Sequence, residues 1–306
     1  MNGGGGESLP DISRTSLSAV SVKAQKTLRV SIPPSRSAAD IRAAIAVLDE
    51  PYSEVHVLAG SAEFLTPRET CGLRALIDHA ASLAGEVVFD CPVNLDVHGY
   101  LGRVDFYDDL EENVRLTRRP PRQRRQDRRD QLIEVVRVRT ADDVEALTDR
   151  VWDVAKAHCG SGRTAKAFAT AIAAATENVI DHAQSPIGAL VAAQRYANRG
   201  LELAVVDLGR GIPVTLRENG VYAGLTDLQA VERALEDGVS SVTDEGRGAG
   251  LAELVHGVAE AGNATLRVSS GQAELTLGWN ARQRRPYRAA LHPAAHGTWI
   301  SVRLDP

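Results

Sequence analysis

The chain has 306 residues, of which 43% are hydrophobic and 25% charged, which is enough for two ordinary domains with buried cores. The net charge of -5 argues against a dedicated nucleic-acid binder, whose surface is usually basic. The three cysteines are far apart and suggest neither a disulfide framework nor a metal-binding pair, and no apolar run approaches the roughly 20 residues of a membrane span.

Residues 1–26 are rich in Gly and Ser, without the basic and apolar regions of a signal peptide, and are predicted to be a disordered tail of a cytoplasmic protein. Alternating strand and helix patterns then predict a small α/β domain over residues 27–112. Its predicted elements are strand Leu28–Ile32, helix Ala38–Leu48, strand Val55–Leu58, helix Arg68–Leu83, strand Glu86–Phe89 and helix Tyr100–Leu110.

Residues 113–130 are predicted to be a domain linker. They contain many arginines around Pro120-Pro121, a pair that neither a helix interior nor a central strand accepts. The arginines are interpreted either as a solvated, extended run or as a basic contact for RNA, anionic lipid or an acidic partner. Asp127 and Asp130 weaken the nucleic-acid interpretation.

A second domain is predicted over residues 131–306, as a two-layer α/β sandwich with helices against a mixed or antiparallel sheet. Residues 281–296 are predicted to be a loop. The predicted helices are Asp142–His158, Arg163–Ala183, Leu225–Glu236 and Leu251–Ala261. The predicted strands are Ile133–Val138, Gly188–Tyr196, Leu201–Val206, Thr265–Ser269, Ala273–Trp279 and Thr298–Leu304.

The most informative segment follows the strand Leu201–Val206, where Asp207 enters a glycine turn. A carboxylate there would accept a hydrogen bond from the exocyclic amine of adenine and would oppose the carbonyl of guanine. Gly209 and Gly211 would allow the backbone to approach a ligand closely, and Ile212-Pro213 follows them. Taken alone, the segment could equally be an ordinary turn between a strand and a loop.

A polar cluster lies near the end of the predicted helix Arg163–Ala183. Because residues three and four apart share a helix face, Asn178, Asp181 and His182 are expected on one stripe. An Asn amide oxygen suits Mg²⁺, which prefers hard oxygen ligands. The alternative is a solvated polar face at a helix end.

Two further segments could contact phosphates. Gly246, Arg247, Gly248 and Gly250 precede Leu251, the first residue of a predicted helix, where backbone N–H groups can face an anion. Thr298 enters the last predicted strand and carries a hydroxyl. Each segment is weak evidence by itself.

In this order, the segments resemble the motif series of the GHKL superfamily, the ATP-binding fold of histidine kinases, anti-sigma-factor serine kinases and gyrase-type topoisomerases. The resemblance covers most of residues 131–306 and is nearest to the anti-sigma-factor kinase branch. It implies that ATP binds with Mg²⁺ on Asn178 and that Asp207 recognises adenine. It also implies that Gly209 and Gly211 shape the base pocket and that Gly246, Gly248 and Gly250 form a phosphate lid. His182, Ile212, Arg247, Leu251 and Thr298 complete the expected site.

One departure from the family concerns catalysis. Catalytic members carry a Glu one helical turn before the metal-binding Asn, and here Ala174 occupies that position. Glu177 would point about 100° around the helix from Asn178, and Asp181 lies one turn beyond it, so both are weak candidates for a general base. The residues therefore predict ATP binding and leave its hydrolysis or transfer open.

The first predicted domain resembles a STAS domain, the fold of anti-sigma-factor antagonists, through the strand Val55–Leu58, residues 64–73 and residues 100–106. The resemblance would place a phosphorylatable hydroxyl at Thr70 or at Thr66; the alternative is that the hydroxyl only caps a helix. The expected function is an ATP-dependent signalling switch coupled to this domain and to a protein partner, compatible with a homodimer. The alternative is an active serine/threonine kinase that phosphorylates a STAS partner or itself.

Overall fold

The computed structural model describes residues 26–33, 38–121, 130–236, 239, 250–281, 283–285 and 287–306. The amino-terminal unit has a parallel four-stranded sheet in the order β1-β2-β3-β4. Its elements are β1 (Thr27–Ser31), α1 (Ala38–Ala46), β2 (Tyr52–Leu58), α2 (Pro67–Leu83), β3 (Ala84–Asp90), α3 (Leu95–Arg103) and β4 (Val114–Leu116).

Local chemistry sets the starts of the helices in this unit. The backbone N–H of Thr66 donates to the Glu69 carboxylate at 3.0 Å, as in a capping box, and Pro67 follows as the first residue of α2. The Asn94 side chain accepts from the N–H of Asp96 at 2.9 Å, so α3 begins at Leu95, earlier than predicted. Three residues of the expected linker, Val114–Leu116, form β4.

The carboxy-terminal unit contains a six-stranded sheet in the order β5-β6-β7-β10-β8-β9, with antiparallel neighbours throughout. Its strands are β5 (Leu132–Val138), β6 (Ala189–Tyr196), β7 (Gly200–Val206), β8 (Ala264–Asn280), β9 (Gln283–Arg284) and β10 (Arg288–Leu304). Its helices are α4 (Ala141–Cys159), α5 (Gly162–Asn178), α6 (Ile212–Arg217), α7 (Asp227–Ala234) and α8 (Gly250–Glu260).

Helices α4, α5 and α8 cover one face of this sheet and share one apolar core with it. The α/β class and the two-layer sandwich are therefore confirmed. Within the core, Phe168 and Ile172 of α5 and Leu254 of α8 are fully buried. Polar caps position α4, since Thr140 accepts from the N–H of Asp143 at 3.2 Å and Gly160 ends the helix with a left-handed φ of 67°.

The amino-terminal unit covers the opposite face of the same sheet. Along β7, Leu203 and Val205 belong to the core with the helices, whereas Ala204 and Val206 belong to the core of the amino-terminal unit. This alternation follows from the pleat of a strand, because successive side chains point to opposite faces. Both faces of the central strands are therefore buried.

Close packing and buried charges hold the two units together. A Cβ on Gly72 of α2 would lie 2.2 Å from the Trp299 ring of β10, so only glycine fits there. Asp78 of α2 accepts from Arg137 of β5 at 2.7 Å and from Arg74 of its own helix at 3.0 Å. Side chains more than fifty residues apart thus form one continuous interface.

Several predicted boundaries are wrong. Residues 264–280 form a single strand rather than two, and the predicted loop 281–296 contains the start of β10 at Arg288. The two strands pair as a long ribbon, whose register shifts between Ala295 and Thr298. Gly271, which lies between the two predicted strands, has a left-handed φ of 57° and pairs with Ala295 at this irregularity without ending the strand. No helix in the described part of the chain is both long and apolar enough to cross a membrane.

Candidate nucleotide-binding site

One cavity of about 770 Å³, including space open to solvent, collects most of the residues that the sequence nominated. It lies between the sheet and the helical layer. Its lining consists of Ala175, Asn178, Val179, His182, Ala183, Asp207, Gly211, Ile212, Thr215, Leu216, Ala234, Val239, Leu251, Thr298 and Ile300.

Asp207 forms the buried polar end of the cavity, with only 1% of its surface exposed. Its Oδ1 accepts from the N–H of Gly209 at 2.7 Å, and its Oδ2 accepts from the N–H of Thr298 at 3.0 Å. Burial raises the pKa of Asp207 to about 7, and these two hydrogen bonds oppose the shift. The carboxylate keeps free lone pairs with which it can accept from a ligand amine.

The glycine turn after Asp207 closes against two neighbouring elements. A Cβ on Gly209 would lie 2.1 Å from the carbonyl oxygen of Ala183, so this glycine permits close packing and does not itself line the cavity. Gly211 lines the cavity with a left-handed φ of 78°. Helix α6, absent from the prediction, begins at Ile212, whose side chain is part of the cavity wall.

The polar cluster after α5 is divided by a π-helical turn, Val179–Ala183. Asn178 and His182 line the cavity, but Asp181 is exposed and lies outside it. A π-turn has more than four residues per turn, so a residue four positions on stays on the same face while one three positions on does not. The prediction that Asp181 shares the face of Asn178 is therefore wrong.

Neither candidate general base lines the cavity. Glu177 is exposed, as Asp181 is, and faces away from the cavity lining. Ala174 is buried, and its carbonyl accepts from Asn178 Nδ2 at 2.9 Å. That bond leaves the amide oxygen of Asn178 as its acceptor for a ligand, which is the atom type that Mg²⁺ binds.

A serine that the sequence did not nominate organises the cavity wall. The Ser270 hydroxyl lies 2.9 Å from the N–H of Ile212, 3.0 Å from the carbonyl of Gly297 and 3.1 Å from the hydroxyl of Thr298. Ser270 is fully buried and pairs with Thr298 across β8 and β10. No local pattern marks it, because its partners are 27 residues or more away.

Only the end of the glycine-rich segment 246–250 lies within the described residues. Gly250 is the first residue of α8, and Leu251 lines the cavity. Gly246, Arg247 and Gly248 lie outside the described residues. The cavity thus combines a buried carboxylate, apolar side chains and the amide of Asn178.

No family model matches the chain, and no curated protein matches it. Among solved structures, it is similar to the MutL ATPase domain of Aquifex aeolicus complexed with ADP, with 16% identity, a TM-score of 0.18, and coverage of 34% of this chain and 30% of that one. It is also similar to the 43K ATPase domain of Thermus thermophilus gyrase B in complex with an aminocoumarin, with 20% identity, a TM-score of 0.26, and coverage of 55% and 41%. The chain spans less than half the length of either structure.

Proposed function

We propose that the protein binds ATP with Mg²⁺ in this cavity, as a member of the GHKL superfamily over residues 131–306. The observation that carries the proposal is the buried Asp207, which is anchored by two backbone N–H groups and lines the cavity. Such a carboxylate accepts from the exocyclic amine of adenine, whereas guanine would present a carbonyl to it.

Isothermal titration calorimetry with ATP and GTP tests this proposal. We expect ATP to bind at least tenfold more tightly, since a buried acceptor left facing another acceptor costs about 1–3 kcal/mol. The variant Asp207→Asn should lose most of this preference, while Asp149→Asn, on the exposed side of α4, should keep it. Equal affinities of the unchanged protein for both nucleotides would contradict adenine recognition.

The nucleotide site is proposed to act as a signalling switch coupled to the STAS-like amino-terminal domain, which extends through β4 into the predicted linker 113–130. Support comes from the sheet itself, since one face carries the cavity and the other is buried by α1 and α2. A nucleotide that favours one arrangement of this assembly would change what a cytoplasmic protein partner, or a second copy of the chain, can contact.

The alternative is an active serine/threonine kinase of the anti-sigma-factor type. Its candidate bases Glu177 and Asp181 are exposed and outside the cavity lining, which supports binding over phosphotransfer. Thr70 is fully buried and donates its hydroxyl to the carbonyl of Thr66 at 2.8 Å, and Thr66 is half-buried at the start of α2. Incubation with Mg-ATP followed by mass spectrometry should find neither threonine phosphorylated; rapid phosphorylation of either one would favour the kinase.

A further inference from the structure

The amino-terminal unit holds β8 from the side opposite the cavity. Arg42 of α1 donates from Nη2 to the carbonyl of Gly271 at 2.9 Å. Arg68 of α2 donates from Nη2 to the hydroxyl of Ser269 at 2.6 Å and to the carboxylate of Glu274 at 2.7 Å. Two arginines of one unit thus bind a short segment of the other.

The residue between those two anchors contacts two residues that line the cavity. Successive residues of a strand point to opposite faces, so Ser269 meets Arg68 while Ser270 reaches the N–H of Ile212 and the hydroxyl of Thr298. Both serines are fully buried. A shift of this segment would therefore move groups of the cavity wall directly.

Gly271 makes a second connection. Its carbonyl accepts from Arg42, and a Cβ at its position would lie 2.3 Å from Asp227 Oδ2 and 3.2 Å from Pro213 Cγ. Asp227 begins α7, and Pro213 lies in α6, next to Ile212 of the cavity wall. Gly271 is thus packed between the amino-terminal unit and the helices beside the cavity.

Arg42 is placed at a cost in stability. Only 1% of its surface is exposed, and within the described part of the chain its Nε and Nη1 have no hydrogen-bond partner. Burial and the neighbouring charge of Arg68 lower the pKa of Arg42 to about 10. A buried cation with unsatisfied donors is less favourable than an apolar side chain of similar size, so stability alone does not account for an arginine here.

We propose that Arg42 is a positioning residue that couples docking of the amino-terminal unit to nucleotide affinity, through Gly271 and Ser270. This inference rests on the proposed function, and it specifies how the two units communicate. By linkage, docking strengthens nucleotide binding by the same factor by which nucleotide strengthens docking.

The test uses the full chain and the variant Arg42→Met, with Arg115→Met as the matched control. Arg115 of β4 pairs with Glu86 of β3 at 2.7 Å through exposed side chains, away from the interface with the sheet of the second unit. We expect Arg42→Met to raise the Kd for Mg-ATP about three- to tenfold, with an unchanged or higher Tm. If Arg42 were purely structural, Arg42→Met would lower Tm and would not show this combination of a higher Kd with an unchanged or higher Tm. Arg115→Met should change neither Kd nor Tm.

Hydrogen exchange of the unchanged protein gives a second, independent readout. Saturating Mg-ATP should slow exchange at backbone amides of α1 and α2, although neither helix lines the cavity. If Arg42→Met does not fold, hydrogen exchange of the unchanged protein alone tests the coupling. The coupling would be overturned if Arg42→Met bound ATP with an unchanged Kd, or if ATP bound without slowing exchange in α1 and α2. If the unchanged protein did not bind ATP, the proposed function would be overturned instead.

Discussion

Asp207 and Thr298 bind each other through reciprocal hydrogen bonds. The N–H of Thr298 donates to Asp207 Oδ2 at 3.0 Å, and the N–H of Asp207 donates to the carbonyl of Thr298 at 3.0 Å. This pairing joins the end of β7 to β10, so the carboxylate is held by the sheet itself. Such anchoring lets a buried acid keep one orientation towards a ligand.

The affinity for the adenine moiety should depend on pH near neutrality. The pKa of Asp207 in the ligand-free protein is about 7, and only the ionised carboxylate accepts freely from the exocyclic amine. Affinity should therefore be highest above pH 7 and decline as pH falls through 7, approaching tenfold per pH unit below it. Calorimetry with adenosine avoids titration of the phosphates, and Asp207→Asn should abolish the dependence. A constant affinity between pH 6 and pH 8 would contradict this role.

The free energy of unfolding of the ligand-free protein should depend on the ionisation of Asp207 in the opposite direction. Because the folded pKa of about 7 exceeds the ordinary value of 3.8, the folded state binds the proton more tightly. The ligand-free protein should lose stability as pH rises from about 4 to about 7, and Asp207→Asn should show a flatter profile over that window. Chemical denaturation at several pH values measures both slopes. Identical slopes in the two proteins would exclude a protonated Asp207.

Removing the Asn178 side chain should weaken nucleotide binding only when metal is present. In Asn178→Ala, we expect the stimulation of ATP binding by Mg²⁺ to fall severalfold, because a hard oxygen ligand is lost. ATP affinity in the presence of a chelator should change little. The matched control is Glu177→Ala, the exposed neighbouring residue. Equal effects with and without metal would show that Asn178 acts on the nucleotide by another route.

Under the proposed function, a Glu at position 174 should raise the rate of ATP hydrolysis. Positioned general bases contribute about 10²–10⁴-fold, so ATP hydrolysis should be slow in the natural sequence and faster in Ala174→Glu. Ala174→Gln is the control for size and polarity. Since Ala174 is buried, thermal unfolding of both variants must accompany the rate measurement. A folded Ala174→Glu variant that binds ATP but hydrolyses it no faster would contradict the assignment of this position.

Packing of the two units should be sensitive to a single methyl group. Gly72→Ala would place a Cβ 2.2 Å from the Trp299 ring, so we expect it to lower the free energy of unfolding by about 1–3 kcal/mol, despite alanine's higher helix propensity. Gly220→Ala is the control, because a Cβ there meets nothing within 4 Å. Denaturant titration compares the two. A stable Gly72→Ala variant would mean that the interface is looser than described.

Local patterns in the sequence predicted the helices and strands near the site well. The hydrophobic run of β7 and the periodicity of α4 and α5 appear within short windows. Backbone preferences and burial of one face act over the same short distances, so such windows carry the information. Local patterns missed the π-turn at the end of α5, which changes which residues share a face, and they also missed α6 and the continuity of β8.

The sequence by itself determined the α/β class, the carboxylate after β7 and the chemical types available to bind a nucleotide. Only the tertiary structure decided that Asp181 lies outside the cavity, that Ser270 contacts Ile212 and Thr298 of its lining, and that α1 and α2 bury the other face of the sheet. The physical reason is distance along the chain. Arg42 meets Gly271, and Arg68 meets Ser269, across more than two hundred residues, and no local pattern records which distant surfaces will pack together.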